Sequence, residues 1–305
     1  MALYAVTGVA GFIGSHLADA LLAAGHQVRG LDDLSTGKRE NLDPRCELMI
    51  GDVAEPAAVA ALMQGAAGCF HLAAIASVAK TNEDWMGGHR VNLGGTIRVL
   101  EAARDAGRIP VVYASSAAIY GDTGGETAHE GLTPRPLSAY GADKLGSELH
   151  AAAGWHVHGV PSFGLRFFNV YGPRQDPKSP YSGVISIFAR RIAEGQGIEI
   201  HGDGQQVRDF IYVADIVRHL IAAMGYATAH GGNAVANVCT GQGTSVLQLA
   251  EHLAAACGRN AHISHGPARP GDIRRSIGDA THATKSLGIA AEVGLPEGLR
   301  RLVGG

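Results

Sequence analysis

The stretch TGVAGFIG, Thr7 to Gly14, follows the apolar run ALYAV and leads into Ile13, Leu17, Leu21 and Ala24 at helical spacing, with Gly25 as a stop. A strand, a tight turn and a helix are predicted. Gly8, Gly11 and Gly14 form GxxGxxG. In this spacing the first glycine permits the turn, the second lets backbone approach a pyrophosphate, and the third brings helix close to strand. The N–H groups of the helix start then face the phosphates. Alone the triplet is weak evidence in a chain with 43 glycines, and the strand before it and the helix after it make it specific.

Further apolar runs of strand length, QVRGL, CELMIGD, GCFHLAA, PVVYASS and FGLRFFN, alternate with helical stretches as far as Asn169. This is the pattern of repeated βαβ units and a parallel sheet covered on both faces. The fold class expected is therefore α/β: a Rossmann doubly wound parallel sheet with a smaller C-terminal substrate-binding α/β lobe. Residues 1–169 and 212–240 are assigned to the nucleotide-binding domain, and 170–211 and 241–305 to the second. VYGPRQDPKSPYSG breaks the texture with Pro and Gly. VISIFARRIAEG, IYVADIVRHLIAAM, GTSVLQLAEHLAAACG, capped by Thr244 or Ser245, and a short C-terminal segment are predicted helices.

At 305 residues with a net charge of -3, the chain has no general attraction for nucleic acid or an acidic membrane. No apolar run reaches the roughly 20 residues of a membrane helix. Cys46, Cys69, Cys239 and Cys257 are far apart and form no CxxC, which fits a reducing cytoplasm. The 15 histidines are scattered, and no metal site is expected.

The second strand-like run ends in Asp32, near the roughly 20-residue spacing of the acid that holds adenosine ribose hydroxyls. A carboxylate there repels a 2′-phosphate, so NAD is favoured over NADP. Asp52 and Val53, at the expected end of the third strand, are placed at an adenine edge. Tyr140 and Lys144 in YGADK stand four apart on a predicted helix and project from one face. An ammonium near a phenol stabilises the phenolate and lowers its pKa. Ser115 and Ser116 end the strand PVVYASS, at the sheet edge where ligands bind.

Together TGxxGxxG, the strand-end serine, YxxxK, FNVYGP and VRDFIYV resemble the extended short-chain dehydrogenase/reductase family, over nearly the whole length and in the family's order. Within it the chain is most similar to the UDP-glucose 4-epimerases and their N-acetylhexosamine relatives. The resemblance implies that Ser116 hydrogen-bonds the sugar O4, Tyr140 takes its proton, and Lys144 binds the nicotinamide ribose while lowering the tyrosine pKa. It also implies NAD contacts by Phe12, Ile13, Asp33, Leu72, Ala73, Ala74, Asn92 and Phe167. For the UDP-sugar it implies diphosphate contacts by Arg208 and Arg269 and a ribose contact by Asp272. It places Asn169, Gly183 and Val184 around the nucleotide, His201 on the base, and Ser276 opposite the sugar C2 substituent. A homodimer is expected on the same ground.

Ser116 is followed by Ala117 and Ala118, which cannot move a proton, so the elimination chemistry of the family's dehydratases is disfavoured. The sequence departs from familiar epimerases at Ala76, where they carry a lysine. Epimerisation at C4 is the activity expected. Another nucleotide-sugar epimerase or reductase, including one acting on UDP-glucuronate, and a non-catalytic NAD-binding sensor are the alternatives.

Overall fold

A computed structural model of the chain describes residues 1–176, 183–268 and 272–304. In chain order the first part contains β1 (Leu3–Thr7), α1 (Phe12–Ala23), β2 (Gln27–Asp32), β3 (Glu47–Ile50), α2 (Pro56–Met63), β4 (Gly68–His71), α3 (Val78–Glu83), α4 (Trp85–His89), α5 (Gly95–Asp105), β5 (Val111–Ser116), α6 (Ala139–His158) and β6 (Ser162–Phe167). There follow β7 (Asn169–Tyr171), α7 (Val184–Ala193), β8 (Ile198–His201), β9 (Val207–Tyr212), α8 (Val213–His230), β10 (Asn233–Val238), β11 (Gly243–Ser245), α9 (Val246–Cys257), β12 (Ile263–Gly266), β13 (Arg275–Ser276), α10 (Thr281–Leu287) and α11 (Leu295–Val303).

Seven strands form one sheet in the order β10-β6-β5-β4-β1-β2-β3, and every pairing is parallel. The order reverses between β1 and β4, and ligands of such sheets bind outside the strand ends at that point. Alternation along each strand feeds two cores. Val6, Phe70 and Phe163 pack with α1 and α8 on one face, whereas Ala5, Leu31 and Val111 pack with α2, α5 and α6 on the other. Both faces are thus covered, as the continuous apolar runs predict. This is the expected doubly wound α/β sheet.

The remaining strands are shorter. β9 is flanked by antiparallel β11 and parallel β13 along its first half and by parallel β7 along its second. β8 and β12 form a separate parallel pair. A third core, with Ile185, Phe188, Ile200, Phe210 and Leu253, joins α7, α9 and α11 to these strands. Ser245, one of the two expected caps, starts α9 with a capping box closed by Gln248. No helix of the described residues is long and apolar enough to cross a membrane.

Candidate active site

Gly8 has φ +68°, and a Cβ there would lie 2.7 Å from Ala73 N. A Cβ on Gly14 would lie 2.1 Å from Gly8 O, so only glycine lets α1 start this close to β1. Gly11 caps α1, and its hydrogen side meets only Gly8 O, at 3.2 Å. The helix start is thus free to receive an anion. Gly8, the run Gly11–Gly14, Asp32, Asp33, Asp52, Val53 and Leu72 to Ala74 line one cleft of about 520 Å³. Asp52 and Val53 reach it from the loop beyond β3, which ends two residues before Asp52 and earlier than expected.

The Asp32 carboxylate sits inside the turn. Its Oδ2 accepts Ala10 N–H and its Oδ1 accepts Leu34 N–H, both at 2.9 Å. Burial raises its pKa, and these hydrogen bonds oppose the rise. Each oxygen keeps a lone pair for a hydroxyl. A dinucleotide therefore fits the cleft: the glycine turn leaves room for pyrophosphate, and the acid is set to accept from a ribose.

Asn92 stands behind this cleft in a π-helical turn, Arg90–Gly94, a distortion frequent at functional sites. Its Oδ1 accepts Ile75 N–H at 2.8 Å and its Nδ2 donates to Ile75 O at 3.3 Å, clamping the loop after β4. Sequence reading passed over Thr7. Its Oγ1 accepts both Leu72 and Ala73 N–H and contacts His71 Nδ1 at 2.7 Å, fixing the switch-point crevice. It also passed over Lys80, on α3 one turn beyond Ala76, which lines the cleft. The charged lining is Asp32, Asp33, Asp52 and Asp84 against Lys80 and Arg90. Arg90 is already paired with Asp52, whereas Lys80 forms no ion pair among the described residues.

α6 starts at Ser138, whose hydroxyl accepts Gly141 N–H. Two residues in, the Tyr140 hydroxyl stands beside the Ser116 side chain at the end of β5, close enough for that hydroxyl to influence the phenol. Lys144 Nζ lies 5.8 Å from the centroid of the Tyr140 ring and donates to Ala114 O at 2.8 Å. The structure thus brings Ser116, Tyr140 and Lys144 together. Burial pushes the Tyr140 phenol up and the neighbouring Ser116 pulls it down, so the phenol stands above its ordinary range; the lowering expected from Lys144 is outweighed by burial. Burial also pushes the Lys144 ammonium down to about 8, with Asp143 opposing. Ala114 lines the first cleft. Phe167, opposite Ser116 in the sheet, packs its ring into the core and lines neither cleft.

A second cleft, of about 480 Å³, opens two residues beyond Phe167 and includes Asn169, Val184, His201, Arg208 and Asp272. Arg208 pairs with Asp272 and donates to Ile273 O at 2.7 Å. Gly183 caps α7 next to Val184. Ser276 is half-buried on β13, paired with Arg208, and does not line the cleft. Arg269 lies outside the described residues. Arg191 and Glu199 also line this cleft, though no motif marks them.

Fold and site together define a dinucleotide-binding α/β enzyme frame with a tyrosine–lysine–serine cluster at the sheet edge. Residues 4–239 match the NAD dependent epimerase/dehydratase family, and the chain belongs to that family. It is 38% identical over 98% of its length, and 96% of the relative's, to a UDP-glucose 4-epimerase of Mycolicibacterium smegmatis. Among solved structures it superposes with TM-score 0.94 at 36% identity on a Thermotoga maritima UDP-glucose 4-epimerase with UDP-glucose, covering 100% of this chain and 98% of that one. A UDP-N-acetylglucosamine 4-epimerase of Methanobrevibacter ruminantium, in complex with UDP-N-acetylmuramic acid, gives 0.93 at 32%, covering 99% and 97%.

Proposed function

We propose that the chain binds NAD in the first cleft and a UDP-hexose in the second, and inverts the sugar at C4. The observation that carries this reading is the gathering of Tyr140, Ser116 and Lys144 at the sheet edge, with Lys144 Nζ 5.8 Å from the centroid of the Tyr140 ring and donating to the carbonyl of Ala114, which lines the first cleft. The named relatives support it.

NAD, when bound, supplies the acceptor and then the donor of a hydride at the sugar C4. Gly8, Gly11 and Gly14 would cradle its pyrophosphate, with Asp32 on the adenosine ribose. Ser116 orients the O4 hydroxyl toward Tyr140, which takes its proton as the 4-keto sugar forms. Tyr140 returns the proton when the hydroxyl is rebuilt on the opposite face. Lys144, charged below about pH 8, offsets the negative charge that develops on the phenol. Ser116 is followed by two alanines, whose side chains cannot serve as the acid or base of an elimination. Purified protein incubated with UDP-galactose and no added cofactor should yield UDP-glucose. NAD binding without conversion would favour a sensor or a different nucleotide-sugar enzyme.

Lys80 is the cation expected to meet the dinucleotide where Ala76 cannot. Because it is exposed, Lys80→Met should weaken NAD binding only about 2- to 5-fold. The loss should shrink at high salt, and Ala76→Lys should recover it. Calorimetric titration at two ionic strengths decides, and a salt-independent loss contradicts the assignment.

For the sugar, the resemblance sets Ser276 opposite the C2 substituent although it does not line the cleft, and a serine there is small enough to admit an N-acetyl group. Ser276→Tyr should lower turnover of UDP-N-acetylglucosamine relative to UDP-glucose, and an unchanged ratio removes Ser276 as a gate. A cytoplasmic homodimer belongs to the same proposal. The exposed Leu149 and Val157 of α6 offer apolar surface for a second copy to cover, and light scattering reads the assembly directly.

A further inference from the structure

This inference deepens the reading of the second cleft as a UDP-sugar site and rests on it. α7 turns Val184, Ile187, Phe188 and Arg191 toward that cleft, a stripe at spacings of three and four. Three members are apolar and the last is a guanidinium. Arg191 is in the final turn of the helix, and only residues 194–197 separate α7 from β8. Gln196 N–H donates to Arg191 O at 2.7 Å to close that turn. Arg191 and Glu199, the second residue of β8, therefore stand at the same end of the cleft. Asp272 shares with His201 an adjoining hollow lined by Gly202, Asp203 and Arg274, in which neither Arg191 nor Glu199 takes part. The Glu199 carboxylate lies 3.8 Å from His201 Nδ1, so His201 stands between Glu199 and Asp272.

The two arginines of the cleft differ in what they already hold. Arg208 is committed to Asp272 and to backbone carbonyls. Arg191 has a buried Nε without a hydrogen-bond partner among the described residues, and forms no ion pair among them although Glu199 lines the same wall. A guanidinium has five donors and no acceptor, so the group that completes Arg191 must present an acceptor. With diphosphate and ribose at the Arg208–Asp272 end, and the base over His201, the polar edge of the base points toward Arg191 and Glu199. Uracil offers there a keto oxygen, O4, beside a donor, N3–H. Arg191 can donate to the first and Glu199 can accept from the second. Cytosine inverts both, with an amine at C4 and a bare N3, so both protein groups would be left facing like partners.

We infer that Arg191 and Glu199 read the edge of the nucleobase and select uracil over cytosine. The test is calorimetric titration of the full-length protein with UDP and with CDP. Wild type is expected to bind UDP about 10- to 100-fold more tightly than CDP, the range of one or two hydrogen bonds to charged groups. Arg191→Met keeps most of the stem volume. It should cut UDP affinity about tenfold and leave CDP nearly unchanged. Glu199→Gln alters a surface side chain that is 55% exposed, so its folding is not at issue. It should narrow the ratio by improving CDP, because the amide can donate to N3. If UDP and CDP weaken by one common factor, or the ratio stays at the wild-type value in both variants, the inference is overturned. Wild type that binds UDP selectively but leaves UDP-galactose unconverted refutes the epimerase reading and leaves the base readers standing. Folded wild type that binds neither nucleotide removes both.

Discussion

Tyr140→Phe is expected to lower kcat for UDP-galactose conversion by about 10²- to 10⁴-fold, the range of a lost general acid–base group, with little change in KM. The phenol is the α6 group that stands beside Ser116, and phenylalanine keeps the ring against Lys144 while removing the proton carrier. Lys144 sets the companion pH dependence. Its burial holds the ammonium near 8, so its charge is complete well below that pH and lost above it. If that charge supports the phenolate, kcat/KM should fall as pH rises through about 8. Steady-state kinetics across pH checks both statements. A phenylalanine variant within tenfold of wild type would show that another group moves the proton.

Arg166→Leu is expected to destabilise the fold by about 3–5 kcal/mol. Arg166 on β6 and Glu148 on α6 form a bidentate pair at 2.9 and 2.7 Å, with side chains only 5% and 7% exposed. Ser115 donates to the same carboxylate, Arg166 Nη1 donates to Tyr120 Oη at 2.8 Å, and Tyr120 donates to Asn237 Oδ1 at 2.7 Å. Removing the guanidinium leaves a buried carboxylate with one hydroxyl partner. The cost is that of the uncompensated charge, so the double variant Arg166→Leu, Glu148→Leu should recover much of the loss. Denaturant unfolding measures both. A single-variant loss below about 1 kcal/mol, as for an exposed pair, would contradict this account. The network has a positional consequence too: Glu148 follows Lys144 by one helical turn, and Ser115 precedes Ser116, so the pair fixes α6 against the strand that carries the serine.

Much of this was legible in the sequence because it is local. The glycine triplet, the ribose acid at position 32 and the tyrosine–lysine spacing each lie within one turn or one helix face, where periodicity fixes geometry. The apolar runs of the large sheet were equally readable, since burial on both faces leaves no alternation to confuse them. The small sheet was not: β7, β11 and β13 have two or three residues each, and only pairing with β9 across long stretches of chain defines them. Lys80, Arg191 and the Glu148–Arg166 pair were invisible for the same reason. Their neighbours come from distant elements, and a lone charged residue in a helix reads as solvated surface until the fold encloses it.

The central claim is that Tyr140 moves the proton on O4 and never the hydrogen on C4. Converting UDP-galactose in heavy water and reading the product by NMR tests it most directly. The account predicts UDP-glucose that keeps protium at C4, while deuterium at C4 would mean that solvent exchange at carbon carries the inversion.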